Sequence, residues 1–208
     1  MAKILITSGP TRQYLDPVRY LTNASSGRMG AALAAAALAA GHQVLIVSGP
    51  VDVEYPLGAE ILWVVSTEEM LAACRKAFPD CDGLIGAAAP CDYRPERVAQ
   101  QKMSKTGQPI ELRLIETDDV VATLGIDKQD RWMVGFALET DDARLRALAK
   151  MEKKLCDLMV LNGPQAMHSL NNEVEVLDRA GNVLVEIAGA KEYVAERIFA
   201  IIQERLID

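Results

Sequence analysis

Residues 21–30 read LTNASSGRMG, and they stand between a short apolar run, KILIT at 3–7, and an alanine-dense run, AALAAAALAAG at 31–41. The first run has the length of a strand ending near Thr7. The chain then passes through SGPTRQYLDPVRYLTNASSG, a glycine-bearing loop, and a helix begins near Gly27. The first N–H groups of a helix lack internal partners and lie at the positive end of its dipole, so a loop of this kind makes a natural phosphate site. Gly27 and Gly30 would let phosphate and sheet come close. The plainer alternative is that Ser25 or Ser26 caps the helix and the glycines serve packing. The spacing differs from G-x-G-x-x-G, so a nicotinamide cofactor is not specifically indicated.

The same alternation continues along the chain. Apolar runs of strand length recur at Ile4–Thr7, Gln43–Val47, Ile61–Val65, Gly83–Ala87, Trp132–Phe136 and Leu158–Leu161, and unbroken runs suit strands buried on both faces. Helical patterns lie between them. They cover Met29–Ala40, then Thr67–Ala77 behind a Ser66-x-x-Glu69 capping box, then Asp141–Leu155 with Leu145, Leu148, Met151 and Leu155 on one face. Strand and helix in alternation predict an α/β fold, a Rossmann-like parallel sheet flanked by helices. After Asn162 the pattern changes: Glu173–Leu177 and Val183–Ile187 flank the turn sequence DRAGN and read as a C-terminal β-hairpin, followed by a helix over Glu192–Leu206. Pro90–Gly107 has no clear period and reads as a long loop, a place where function is often carried. No domain boundary is evident, so 1–208 reads as a single nucleotide-binding domain.

Composition narrows the function. The 29 acidic residues outnumber 22 basic ones for a net charge of −7, which removes the electrostatic footprint of a nucleic-acid binder. Cys74, Cys81, Cys91 and Cys156 form no CxxC pair, and His42 and His168 stand far apart, so a zinc site lacks its ligand cluster. No segment approaches the ~20 uninterrupted apolar residues of a membrane span, and no signal core follows the N-terminus. The expectation is a reduced, cytoplasmic protein that binds neither nucleic acid nor membrane.

The runs GPTRQYLDPVRYLTNASSGRMG, AAAPCDYRP and VGFALET, followed by a strand ending in Asn162, occur in the order found in phosphopantothenate-cysteine ligases, and the chain resembles that family over nearly its whole length. The likeness is to the ligase half of the bifunctional bacterial enzyme. Because the sequence starts directly with MAKILITSGPT, the resemblance implies a free-standing ligase without FMN, with a separate decarboxylase as a possible partner. The family's reaction joins 4′-phosphopantothenate to cysteine through an acyl nucleotide formed with CTP or ATP and Mg²⁺. The DPVR and SSGRMG details favour CTP. A carboxylate attacking an α-phosphate needs the triphosphate's charge neutralised, by backbone amides, a cation and Mg²⁺.

The resemblance also implies roles for individual residues. Gly9, Ser25, Gly27 and Gly30 would surround the triphosphate, with Phe136 and Asn162 touching the nucleotide from later strand ends. Asn23 would donate to the substrate carboxylate and the acyl nucleotide, and Ala88, Ala89 and Asp92 would contact phosphopantothenate. Lys102 would close over the α-phosphate as a mobile point charge, with Lys105 supporting at best. Arg19 would reach the phosphate of phosphopantothenate in the neighbouring subunit, which implies a homodimer with a shared site. Metal ligands are not assigned. The sequence departs from the family at Pro90-Cys91, where Val-Ala is commoner, and at Ser104, which interrupts the lysine run. Cys91 has no adjacent histidine base and reads as a bystander. Two competing readings remain at this level: a Rossmann-like oxidoreductase, and a nucleotide-binding relative without catalysis.

Overall fold

Alternate residues of the first strand, β1 (Lys3–Ser8), face opposite ways, and both ways are apolar: Ile4 and Ile6 pack into one core, Leu5 into another, all three fully buried. Such a strand needs cover on both faces, and the rest of the chain supplies it. The computed structural model describes residues 1–139, 142–163 and 171–208. In chain order, β1 is followed by a small hairpin, β2 (Arg12–Asp16) and β3 (Arg19–Thr22), then α1 (Arg28–Ala39), β4 (Gln43–Ser48), β5 (Glu60–Trp63), α2 (Thr67–Ala77) and β6 (Gly83–Gly86). A second small pair, β7 (Tyr93–Pro95) and β8 (Leu114–Glu116), precedes α3 (Val120–Ile126), β9 (Trp132–Leu138), α4 (Ala143–Lys154) and β10 (Leu158–Asn162). The hairpin β11 (Asn171–Asp178) and β12 (Val183–Ala190) leads into α5 (Lys191–Ile202).

Eight strands form one sheet in the order β12-β11-β10-β9-β6-β1-β4-β5. The run from β10 to β5 is parallel, and the hairpin joins it antiparallel through β10. The Rossmann-like reading holds, and the hairpin extends the same sheet. On one face α1 and α5 bury Leu33, Ala34, Ala37, Val194 and Ile198 against Ile4, Ile6 and Ile46. On the other, Met70, Leu71, Leu124 and Met151 of α2, α3 and α4 cover Leu5, Leu45 and Val47. Each of the Leu, Ile, Val and Met side chains contributes about 1.5–3 kcal/mol on burial, and truncating fully buried Leu33 to alanine would cost about 2–5 kcal/mol.

Five expectations are corrected. The Ile61–Val65 run is not buried on both faces. As β5 it is the sheet edge, paired only with β4, and leaves Trp63 58% exposed. The loop after β1 contains the β2–β3 hairpin, and the Pro90–Gly107 loop begins with β7. In α4 the buried pair is Ala147 and Met151, because small Ala147 lets the helix approach the sheet, while Leu145 and Leu155 point outward. Asp141, the expected first residue of that helix, and His168 lie outside the described residues. The last helix ends at Ile202 and continues as a π-helical turn, Gln203–Ile207.

The chain order places a crevice. From β1 the sheet grows through β4 to β5 on one side, then the chain crosses to β6 on the other. Connections leave β1 and β6 in opposite directions at their carboxyl ends, and ligands of open α/β sheets bind at such a switch point.

Candidate active site

The helix that starts beside this crevice has no cap. Gly27 is the N-cap of α1, in the left-handed region at φ 75°, and neither Ser25 nor Ser26 caps it. The alternative of a serine cap is thus set aside: the left-handed turn at Gly27 sets the helix entry, and a residue without Cβ adopts it readily. No acidic residue occupies the first turn. The first helical bond runs from Ala31 N–H to the Gly27 carbonyl, which leaves the N–H groups of Arg28, Met29 and Gly30 without helical partners. The helix is pinned to β1 by the Ser8 hydroxyl, which donates to the Gly27 carbonyl at 3.2 Å.

This N-terminus opens into a cleft of about 440 Å³. One wall is the stretch from Asn23 to Gly30, the opposite wall is Ala87–Pro90 with Asp92, and Phe136 and Asn162 close it from the ends of β9 and β10. Nine residues expected at the site therefore meet in one place: Asn23, Ser25, Gly27, Gly30, Ala88, Ala89, Asp92, Phe136 and Asn162. Gly9 does not line the cleft. It stands behind it, where its carbonyl accepts the Ala89 N–H at 2.9 Å and ties the end of β1 to the strand-end loop of β6. The Asn23 amide donates to the carbonyls of Ala89 (3.3 Å) and Pro90 (2.8 Å), so the donors expected to meet a carboxylate are engaged by backbone here.

Arg19, Lys102 and Lys105 also stand apart from the cleft, yet Arg19 and the lysine loop are joined. Arg19 Nη1 donates to Asp16 Oδ2 at 2.5 Å and to the Met103 carbonyl at 3.0 Å, while the Met103 N–H donates to Asp16 Oδ2 at 3.1 Å. Both backbone groups of Met103, the residue after Lys102, are thereby clamped. Asp16 is fully buried and also accepts the N–H groups of Val18 and Arg19. Burial pushes its carboxyl up, but the donors from Val18, Met103 and Arg19 outweigh that and hold it down at about 2. Asp16 was missed in the sequence, although Asp before Pro is a turn signal. Lys102 and Lys105 are exposed.

A second cleft of about 280 Å³ shares the wall Ala88, Pro90, Asp92 and Phe136 and continues to Thr117, Asp119 and Lys154. Asp119 caps α3 by accepting the Ala122 N–H and pairs with Lys154 at 3.2 Å. Its signal, Asp ahead of an apolar run, was present in TDDVVATLG. Between the clefts, Cys91 is buried, its N–H donates to Thr11 Oγ1, and its carbonyl accepts the hydroxyls of Thr67 and Thr117. Burial pushes its thiol up, which agrees with a bystander. Arg28, Lys150, Asn172 and Lys191 also line the first cleft and were not foreseen. Among the described residues no group of three His, Cys, Asp or Glu converges as a metal site, and no helix is long and apolar enough to cross a membrane.

The family model described as the DNA/pantothenate metabolism flavoprotein C-terminal domain matches residues 1–206. The chain is 44% identical over 162 residues to the coenzyme A biosynthesis bifunctional protein CoaBC of Vibrio vulnificus (strain YJ016), covering 76% of this chain and 40% of that protein. It is 36% identical over 211 residues to the protein of the same name from Vibrio cholerae, covering 98% and 53%. The crystal structure of the C-terminal domain of coenzyme A biosynthesis bifunctional protein CoaBC matches with a TM-score of 0.85 at 35% identity, over 98% of this chain and 95% of that one. The chain spans about half the length of the curated relatives it matches.

Proposed function

The chain belongs to the family of the DNA/pantothenate metabolism flavoprotein C-terminal domain, and from that premise we propose that it is a phosphopantothenate-cysteine ligase acting in coenzyme A biosynthesis. The carboxylate of 4′-phosphopantothenate attacks the α-phosphorus of CTP, the α–β bridge bond breaks, and pyrophosphate leaves. The amine of cysteine then attacks the acyl carbon and loses a proton, the amide forms, and CMP departs. Mg²⁺ enters as part of the nucleotide substrate, held by its phosphates.

The observation that carries the reading is the uncapped start of α1 facing Ala87–Asp92 across one cleft. First-turn N–H groups stabilise phosphate oxygens, and a second cleft meets the first at Ala88, Pro90, Asp92 and Phe136. Two ligands that must react with each other fit two clefts with one wall in common, because holding them in contact removes much of the entropic barrier. Asn23, on the facing wall of the first cleft, reaches that shared wall through its amide, and rotation of the side chain transfers the amide from the Pro90 carbonyl to a substrate oxygen. Lys102 rides on a loop clamped at Met103, so its ammonium swings about a fixed point towards the α-phosphate, with Lys105 a solvated neighbour. Arg19 serves the phosphopantothenate phosphate of a partner subunit. Exposed Val18, Val98 and Ile110 around the two small strand pairs supply apolar surface for that homodimer.

The test is pyrophosphate release by the purified protein with Mg²⁺ and 4′-phosphopantothenate, comparing CTP with ATP, each with and without cysteine. Release that requires phosphopantothenate and turns over repeatedly only with cysteine is the expected result. Folded protein that binds triphosphate but releases nothing would instead be a relative without catalysis.

A further inference from the structure

Ser26 aside, four polar side chains that line the cleft beside α1 have no task in the reading above: Arg28, Lys150, Asn172 and Lys191. Lys150 is satisfied, with its Nζ 2.5 Å from Glu139. Arg28, at the start of α1, and Lys191, at the start of α5, pair with no carboxylate among the described residues. They also oppose each other: burial first, and then the Arg28 charge, hold the Lys191 ammonium below the usual lysine value, with Glu192 offsetting only part. Asn172 is 5% exposed, and its buried Oδ1 has no hydrogen-bond partner among the described residues. The Oδ1 of Asn162, on the same cleft, is unpartnered too.

Two unpaired cations beside a helix N-terminus without a side-chain cap form an arrangement that an anion of several charges relieves, and a buried carbonyl oxygen without a donor asks that the same ligand carry a donor besides its phosphates, as the hydroxyls of a nucleotide do. A single phosphate monoester would engage the helix N-terminus alone. The presence of two further cations, brought from opposite ends of the sequence, suits a diphosphate group. We propose that Arg28 and Lys191, together with the first-turn N–H groups of α1, hold the β- and γ-phosphates of the nucleotide, the pyrophosphate that the reaction expels. The step rests on the ligase reading for its chemistry and on the cleft for its geometry. Arg28 binds through a planar fork and Lys191 as a point charge, so each contact strengthens as negative charge gathers on the leaving group.

Binding of CTP, CDP, CMP and inorganic pyrophosphate, each with Mg²⁺, to the wild type and to Lys191→Met and Arg28→Met tests it, beside thermal unfolding of the same proteins without ligand. Each variant should bind CTP and pyrophosphate about tenfold more weakly and CMP as the wild type does. Ligand-free Lys191→Met should melt no lower than wild type, because a repelled charge has been removed. Lys191→Arg should keep CTP affinity within about threefold. Unchanged CTP and pyrophosphate affinity in both Met variants, or an equal loss for CMP, would overturn the assignment while leaving the ligase reading standing. Wild type that binds pyrophosphate through Lys191 but no nucleotide would keep the seat and end the ligase reading. Wild type that binds none of the four would end both.

Discussion

Gly30→Ala tests the contact on which the position of the proposed phosphate site depends. Gly30 is buried in the first turn of α1, and a Cβ placed there would fall on Ser8 Oγ, 2.6 Å from Ser8 Cβ and 3.3 Å from Ser8 Cα. Two effects compete. Alanine gains up to about 1 kcal/mol of helix propensity over glycine. Overpacking against a rigid neighbour costs about 1–3 kcal/mol, and here the neighbour is fully buried in β1, the strand between β4 and β6. The clash wins, for a net loss of about 1–2 kcal/mol, or about 2–8 °C in Tm for a chain of this size. The helix start retreats from the sheet and triphosphate affinity falls with it. Ser8→Gly removes Oγ and Cβ and leaves only the 3.3 Å approach to Cα. It also loses the hydroxyl bond to the Gly27 carbonyl, but that loss cancels in a double-mutant cycle. On the Ser8→Gly background, Gly30→Ala should be neutral or slightly stabilising, a coupling of about 2 kcal/mol. Urea unfolding of the four proteins measures it. A Gly30→Ala protein as stable as wild type, or one whose loss is the same without the Ser8 side chain, refutes the close-approach argument.

Asp16 titrates at about 2, below its ordinary value, so the stability it contributes is fully present above about pH 4 and is lost as pH falls towards 2. The Tm difference between wild type and Asp16→Asn should hold from neutral pH to about pH 5 and shrink below pH 4, and a gap unchanged at about pH 2 contradicts the assignment. Burial pushes the thiols of Cys74 and Cys156 up to about 12 and raises Cys81 and Cys91, so at about pH 8 a thiol reagent should label the folded protein slowly and all four cysteines quickly in denaturant. A single fast thiol in the native protein counts against this. Lys102→Gln should slow acyl-nucleotide formation in single-turnover kinetics by about a hundredfold while leaving unfolding unaltered, since the side chain is exposed. Wild-type single turnover removes Lys102 from the mechanism. Arg19→Ala should raise the KM for phosphopantothenate and also release Met103, seen as faster proteolysis of the 96–112 segment. Mixed dimers with an inactive partner locate the first effect, and a defect confined to the residue's own subunit contradicts the shared site.

What the sequence displayed was local. The capping box at Ser66 and Glu69 is present in both directions, and α2 spans the expected Thr67–Ala77, because a cap is settled within four residues. Central strands were legible because burial on both faces leaves an unbroken apolar run. The β2–β3 hairpin was not, because its strands are four and five residues long and carry Arg, Gln, Tyr and Asp with no apolar face. Its turn depends on Asp16, whose partners include Met103, 87 residues away. The same distance effect hid part of the cleft. Gly27 and Gly30 announce themselves by spacing, whereas Asn172 and Lys191 reach the site only because β11 pairs antiparallel to β10 and α5 packs beside α1. No periodicity or short motif encodes that meeting.

Like α1, α4 and α5 start without a side-chain cap, and the contrast is sharpest between α1 and α2. α2 has a full capping box, Glu68 and Glu69 in its first turn, and Arg75 and Lys76 in its last. α1 has no side-chain cap, no acidic first turn and no basic last turn. A cap is worth about 1 kcal/mol and each of the four charges complementing the dipole about 0.3–1 kcal/mol, so α1 forgoes about 2–5 kcal/mol that α2 has. General composition does not explain the difference, since both helices flank the same sheet. The omission falls at the N-terminus that opens into the cleft. There it coincides with two cations and two buried carbonyl oxygens, of Asn162 and Asn172, that have no partner among the described residues. Each of these departures would be unfavourable alone, and the proposed nucleotide would relieve all of them: its phosphate oxygens would accept from the free N–H groups and the cations, and its hydroxyls would offer donors to the carbonyls. Local rules are broken together where a ligand restores them.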